Sequence, residues 1–431
     1  MHEARPHRCG GFFGCGEDQG EGVLRQDIAD FAYTKRAADR LTHMDEIDQE
    51  TLDRHLRARG NARSELLKSS AFMRILAAIG PWFAPRPAFA ADDGLSRRAA
   101  QSTGRVHVVE CTNETTQLGV FDTTRAPILK IDSGDVISYR DTWSHFLNQL
   151  QPGTPIEKLA ELRVSHPGHG PHSIVGPVWV NDAQPGDVLE IRYQRMEPYN
   201  WAACFNNPGA FKTGLLPGDF PQGHVKYVEL DLTKMRTEFL PKVHVPLRPF
   251  QGTLGVAPPD GYYPPLQPGV TSSVPPGPHG GNTDLSEMVE GSIMYIPVWK
   301  PGALIFTGDS HAVQGDGEIN LSALETRMKE VRIQVVLHKN KNFAWPIAET
   351  STHWIVLGID KDLDGAMSSA ARNAIKFLAT RTNISEQDAY GLFSVAASFR
   401  VTQVVDIVRG VHCMIPKSLF AAGFQPAITV V

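Results

Sequence analysis

The stretch Met294-Tyr295-Ile296-Pro297-Val298-Trp299-Lys300-Pro301-Gly302-Ala303-Leu304-Ile305-Phe306 sets the fold class. Two short apolar runs, Met294–Val298 and Ala303–Phe306, flank a Lys300-Pro301-Gly302 turn and read as the strands of a hairpin. Gly308-Asp309-Ser310-His311-Ala312-Val313-Gln314-Gly315-Asp316-Gly317-Glu318 follows at once. Glycines permit tight turns and positive φ, so the imidazole and carboxylates between them can converge. Such a meeting suits a divalent cation or a hydrolytic acid–base pair. Two more clusters of this kind lie upstream, Tyr139–His145 and Gly277–Asp284.

Outward from there the chain keeps its β character. Val106–Val109, Ala126–Ile131, Asp135–Tyr139, Val188–Tyr193 and Val331–Leu337 are short runs rich in β-branched residues and bounded by turn formers. Residues 206–223 and 257–280 are rich in Pro and Gly and predict long loops over a site. The end of the chain changes character. Asp364–Thr380 has helical spacing, Ser385-Glu386-Gln387-Asp388 resembles a capping box, and Phe399–Val408 reads as a further strand. Asp360–Gly365 mimics the start of a calcium-hand loop, but Ala371 stands at the twelfth position, so it is read as a helix cap.

With 42% hydrophobic and 21% charged residues, the 431-residue chain is globular in composition. A net charge of −5 gives no electrostatic case for nucleic acid. The five cysteines form no CxxC pair, which argues against a zinc knuckle or dithiol motif. No apolar run is long enough for a membrane-spanning helix.

The first 103 residues read as an N-terminal extension. Arg63–Lys68, the apolar run to Gly80 and Pro87-Ala88-Phe89-Ala90 form a basic, apolar, small-residue sequence typical of export signals, with cleavage near 90/91. The start is similar to a twin-arginine signal, although Ala62 stands where the first arginine would be. The expected location is periplasmic or secreted, with a cytoplasmic protein carrying an amphipathic N-terminal helix as the alternative. Met44 is a candidate translation start.

Several residues have side chains suited to chemistry. Asp309 and His311 are two apart, so an extended segment points both to one face, as two ligands of one metal require. The competing reading makes Asp309 a turn cap and His311 a core histidine. Glu318 closes the glycine loop and is the candidate general base and acid, with His311 as its catalytic companion. Asn282 and Asp284 repeat the two-residue spacing, Asp284 as a metal ligand and Asn282 as a substrate contact. His279, before a double glycine, is a second substrate-binding candidate, although no GxSxG elbow accompanies it. Glu325 ranks behind these as an expected strand-edge, exposed glutamate. Cys204 has no sequence neighbour that would activate it.

Taken in order, these motifs resemble the acetamidase/formamidase family. The resemblance rests on 277–284, on Pro301–Leu304 through 308–318, on His166-Pro167, Gly176-Pro177-Val178 and Gln184–Leu189, and on Gln403–Asp406 with Ile415-Pro416-Lys417. It runs from about Val106 to Phe420, and the loops 206–223 and 257–276 lie outside it. It implies hydrolysis of short linear amides such as formamide or acetamide to a carboxylate and ammonia. It also implies an acidic ligand near Asp141, with His145 weaker and His166 the only one of His166, His169 and His172 inside a family-like segment.

The combined expectation is a mainly β protein, with β-sandwich or jelly-roll-like and barrel-like portions over 104–345 and a small C-terminal α+β portion over 346–431. A divalent metal is expected, zinc first and calcium or manganese as alternatives, held by Asp141, Asp284, Asp309 and His311. Expected partners are a small amide substrate and further copies of the chain in a homo-oligomer. The competing functions are the same fold acting on a bulkier amide, and an exported binding protein without turnover.

Overall fold

The computed structural model describes residues 104–421. The export signal expected at 63–91 lies outside the described residues. The strands in chain order begin with β1 (Val106–Glu110), β2 (Thr116–Leu118), β3 (Val120–Asp122), β4 (Leu129–Ile131), β5 (Val136–Arg140), β6 (Ser173–Val180) and β7 (Val188–Pro198). Then come β8 (Trp201–Asn206), β9 (His224–Glu229), β10 (Arg236–Leu240), β11 (Val243–Pro246), β12 (Phe250–Gly255), β13 (Val270–Ser272) and β14 (Gly280–Asn282). The last are β15 (Ile293–Pro297), β16 (Ile305–His311), β17 (Met328–His338), β18 (Ile347–Glu349), β19 (His353–Asp360), β20 (Ser398–Asp406) and β21 (Val408–Pro416). Among the described residues three α-helices of ten or more residues accompany them: α1 (Ile156–Ser165), α2 (Leu363–Ala379) and α3 (Glu386–Ala396). No helix among the described residues is long and apolar enough to cross a membrane.

Two large sheets carry the molecule. One has nine strands in the order β1-β5-β17-β7-β15-β18-β19-β21-β20, and the other runs β14-β12-β16-β6-β2 with β4 joined to β6. Their apolar faces share one core. Ile137, Leu189, Ile191, Met294, Ile333 and Val335 of the first sheet pack with Val175, Val178, Leu254 and Ile305 of the second. That is the sandwich solution to burying two one-sided sheets. The barrel-like portion expected from sequence is corrected: the nine-stranded sheet ends at β1 and β20 and is not closed.

The opening stretch behaves differently from the hairpin it resembles. β15 belongs to the nine-stranded sheet and β16 to the six-stranded one, so the turn at Lys300–Gly302 carries the chain from one layer to the other. Ala303 and Leu304 both have positive φ, at 57° and 60°, and their reversal redirects the strand. A local apolar pattern cannot distinguish pairing partners from partners in facing sheets.

The two C-terminal helices form as their patterns predict. Asp362 caps α2 by accepting from the Gly365 N–H at 2.7 Å, which confirms the cap reading of the calcium-hand-like loop. Ser385 caps α3 through the Asp388 N–H at 3.1 Å. The strands of residues 346–421 continue the large sheet, since β18 pairs with β15 and β19 with β21. A parallel bridge from Gly317 to Gln403 ties β20 to the glycine loop that carries Glu318.

Helix α2 lies directly on β19 at Gly358, where an added Cβ would come within 2.0 Å of the Ala370 nitrogen and 2.5 Å of the Ala366 carbonyl oxygen. Gly358→Ala is therefore expected to destabilise the chain by at least about 1–3 kcal/mol. Gly391 lies exposed inside α3 with nothing within 4 Å of its Cβ position, so Gly391→Ala should stabilise by about 0.5–1 kcal/mol. Urea midpoints of the two variants should move in opposite directions.

Asp187 anchors the turn into β7. Its carboxylate accepts from the Gln184 N–H at 2.8 Å, the Asn340 N–H at 2.9 Å and the Lys339 ammonium at 2.5 Å. Burial alone would raise this carboxyl, but the Lys339 bond and the two backbone donors outweigh it and hold it below its ordinary value. A depressed folded value means stability present above the unfolded pKa of about 3.9 and lost as pH falls through the folded one. Asp187→Asn should cost about 1–3 kcal/mol at pH 7. The gap between the two proteins in urea melts should narrow below about pH 4.

Candidate active site

The site forms where the end of β16 meets segments from distant parts of the chain. The register pairs Ser310 with Gln251 and Gly308 with Thr253, so Asp309 faces the β12 glycine, Gly252. Asp309 takes φ 63°, Asp284 φ 48° and Glu318 φ 46°. Three carboxylate residues are thus held in the left-handed region, where non-glycine backbone is strained and surrounding structure must impose it. A turn at His145–Asn148 with three successive positive φ values, from Phe146 to Asn148, brings His145 in from the end of β5.

Asp309 is the hub. Its Oδ1 lies 2.8 Å from His145 Nε2 and 3.1 Å from His311 Nε2. Its Oδ2 accepts from the Thr253 hydroxyl at 3.3 Å and is 3.9 Å from His172 Nε2. Glu325 Oε2 is 3.1 Å from His311 Nε2 and 3.4 Å from His145 Nε2, while its Oε1 accepts from the Ala323 N–H at 2.9 Å. On the other side of the His311 ring, Nδ1 is 4.0 Å from Asp284 Oδ1. Asn282 donates to Asp284 Oδ2 at 3.0 Å, and its own oxygen contacts the Thr253 hydroxyl. All these side chains are buried.

The charges follow from this packing. Burial would raise the Asp309 carboxyl, but the His311 and His172 rings and the bonds from His145 and His311 hold it well below the carboxylate range. Burial would lower His311, and Glu325 and Asp309 instead hold it well above its ordinary value. His145 is raised against burial by the same two carboxylates. His172, bonded through Nδ1 to the Ser273 hydroxyl at 2.7 Å, is pushed by burial down to about 3 and is neutral. Asp284 and Glu318 are both raised well above ordinary values, first by burial and then by neighbouring carboxylates. Asp406, at the end of β20, is raised by burial to about 7 and neighbours Asp284.

A cavity of about 310 Å³ opens over this cluster, and His145, His172, Asn282, Asp309, Glu318, Glu325 and Asp406 line it. Three overlapping groups could each hold a cation: His145, His172 and Asp309; Asp309, His311 and Glu325; Asp284, His311 and Glu318. His311 Nδ1 and Asp284 Oδ1 are buried without any hydrogen-bond partner. Two orphaned ligand atoms 4.0 Å apart are the arrangement a shared cation would satisfy.

The structure thus brings together Asp284, Asp309, His311, Glu318 and Asn282. Asp141 is corrected as a ligand candidate: its exposed side chain bonds the Tyr199 hydroxyl and faces Arg327, and it joins none of the three groups. The cause is its φ of 46° at the end of β5, which turns it outward while His145 four residues on turns in. His279 is corrected as a substrate contact. It is fully buried against Phe121, outside the cavity lining, and neutral because burial pushes it down to about 3. His166 is exposed on Ser165, whereas His172 enters the site. Glu325, expected exposed, is 2% exposed and bridges Ala203 and His311 in isolated β pairing. Its apolar neighbours Ala323 and Leu324 were the available signal of burial. Asp406 sat in a motif read only for resemblance, and nothing local marked its role.

The fold agrees with comparisons to known proteins. Residues 129–262 and 268–422, more than half of the chain, match the Acetamidase/Formamidase family, and the chain belongs to that family. A formamidase of Methylophilus methylotrophus is 29% identical over 175 residues, 36% of this chain and 43% of that protein, so the match spans less than half of that relative. An acetamidase from Bacillus halodurans superposes with a TM-score of 0.63 at 28% identity, over 72% of this chain and 98% of that one. An acetamidase from Yersinia enterocolitica gives 0.65 at 28% identity, over 75% and 95%.

Gly252 is the packing constraint beneath the site. A Cβ there would lie 2.5 Å from Asp284 Oδ1, 2.5 Å from Asp309 Oδ2 and 2.6 Å from His311 Cε1. Gly252→Ala must displace the three side chains most central to the cluster. The expected outcome is a loss of turnover of about 10²-fold, with the β-rich circular dichroism spectrum retained.

Proposed function

We propose that the chain hydrolyses an unactivated linear amide to its carboxylate and ammonia, assisted by a divalent cation in the buried cluster. The observation that carries this reading is the pair of orphaned atoms, His311 Nδ1 and Asp284 Oδ1, buried behind the cavity wall that Asp309, Glu325 and Glu318 line. Family membership supports the reaction class, and the imidazole–carboxylate donor set suits zinc, with manganese or calcium as alternatives. His311, Asp309 and Asp284 would hold the ion, with Glu325, His145 and His172 as further donors close by. When bound, such an ion polarises a carbonyl and lowers the pKa of water to about 7.

The chain's own residues supply the remainder. Glu318, raised by burial and by its acidic neighbours, is poised to take a proton from water and return it to the departing nitrogen. Asp406, raised by burial to about 7 beside Asp284, can retain a proton near neutral pH. Asn282 fixes Asp284 through its amide, and Thr253 fixes both Asn282 and Asp309. Phe146 and Phe205 wall the cavity and limit bulk water around the reacting atoms. The export pattern before residue 91 supports a further proposal, a periplasmic or secreted enzyme, which a mature N-terminus at Ala91 in the purified protein would support and an intact one would refute.

Ammonia release from formamide and acetamide, with and without a chelator, tests the reaction and the ion together. Turnover should disappear on chelation and return with the metal. Glu318→Gln should lower kcat by about 10²–10⁴-fold while metal content by elemental analysis is kept. A loss below about tenfold would remove Glu318 from the proton-transfer role.

A further inference from the structure

The cavity is larger than a formamide or acetamide requires. Water takes about 30 Å³ in the liquid, so about 310 Å³ leaves room for a substrate several-fold larger than a three- or four-heavy-atom amide. Its wall carries cationic side chains that the proposed chemistry does not use. Arg163 of α1 and Arg409 of β21 are half-buried and line it, and Lys212, exposed, adds a third positive charge.

Arg163 is under-used in the folded chain. It donates once, from Nη1 to the His169 carbonyl at 2.8 Å, and makes no ion pair among the described residues. Arg409 donates only to the adjacent Val408 carbonyl, at 3.3 Å, and is likewise without an ion pair among the described residues. Among other half-buried arginines, Arg400 pairs with Glu287 at 2.8 Å and Arg192 with Glu190 at 2.8 Å, whereas Arg125 and Arg381, which do not line the cavity, make no ion pair among the described residues. Of the cavity carboxylates, Asp309 is engaged with His145 and His311 and Glu325 with His311, and neither Arg163 nor Arg409 pairs with Glu318 or Asp406. Arg163 lines the same cavity as His172 and Asp406, and the Asp406 charge acts on it. A guanidinium offers five donors in a planar fork that matches a carboxylate.

We propose that the substrate is an amide carrying a carboxylate on a short tail, and that Arg163, seconded by Arg409, binds that carboxylate while the amide reaches the buried cluster. This rests on the amide-hydrolysing reading of the same site and narrows its substrate class. The tail supplies size to fill the cavity and a partner for the unmatched guanidinium groups. Neutral formamide and acetamide would then be minimal, poorly held substrates.

The test compares succinamate with 4-oxopentanamide, which has the same heavy-atom count and a neutral methyl ketone in place of the carboxylate. The full chain should favour succinamate by about tenfold or more in kcat/KM, equivalent to about 1.4 kcal/mol. Arg163→Met should bring that ratio to within about twofold of one, and Arg163→Lys, which keeps charge without the fork, should give an intermediate ratio. Equal kcat/KM for the two amides in the unmodified chain, or an unchanged ratio in R163M, overturns the proposal. Should R163M lose its cooperative melt, R163K with a native melt decides alone, an unchanged ratio again overturning it. Calorimetric binding of succinate separates this inference from the one beneath it. If neither amide is cleaved but succinate binds and R163K weakens it, the amidase reading fails and the anion site stands. If succinate does not bind, the anion site fails whatever the turnover.

Discussion

The folded site depends on the Asp309 carboxylate being charged, buried and satisfied at once. An isolated buried carboxylate is costly and would protonate. Asp309 avoids that because His145, His311 and the Thr253 hydroxyl converge on its two oxygens. Those partners come from the end of β5, from β16 and from β12, so one side chain joins three otherwise separate segments. Glu325 then closes the ring by meeting the same two histidines. Charge pairing of this density is weak evidence for stability, but it fixes one geometry, and fixed geometry is what a reaction centre requires.

The sandwich exists, in this reading, to hold those segments still. β16 lies between β12 and β6 and is buried along its whole length, so the positions of Asp309 and His311 are set by pairing on both sides. The C-terminal strands extend the other sheet. β20 grips the glycine loop through Gly317, and its end delivers Asp406 to Asp284. A second charge network, Arg248 and Arg400 on Glu287, braces the same region at 2.8 Å for each pair. Glu318 and Asp284, from loops of one layer, are therefore brought together with Asp406, from a strand of the other.

Much of this was legible in the residues. The spacing of Asp309 and His311, the glycines around them and the repeat at Asn282 and Asp284 were read as converging ligands, and those four side chains do meet. The helices α2 and α3 followed from period and caps. What was not legible was direction. Asp141 and His145 are four apart, and a run of positive φ values sends one to solvent and the other into the site. His166 and His172 have similar loops around them, and only the second reaches the cluster. Glu325 looked like an edge residue because its burial comes from Ala203 and His311, more than a local window away.

By itself the sequence determined the inventory: short β-branched runs that must form sheets, glycines that allow crowded backbone, and a stock of imidazoles and carboxylates in three clusters. The tertiary structure decided which of them share a cavity and which charges they carry. His145 and Asp309 are 164 residues apart in the chain and 2.8 Å apart in space. Protonation follows from that distance and from burial, and neither quantity exists in a sequence until the sheets have closed over the site.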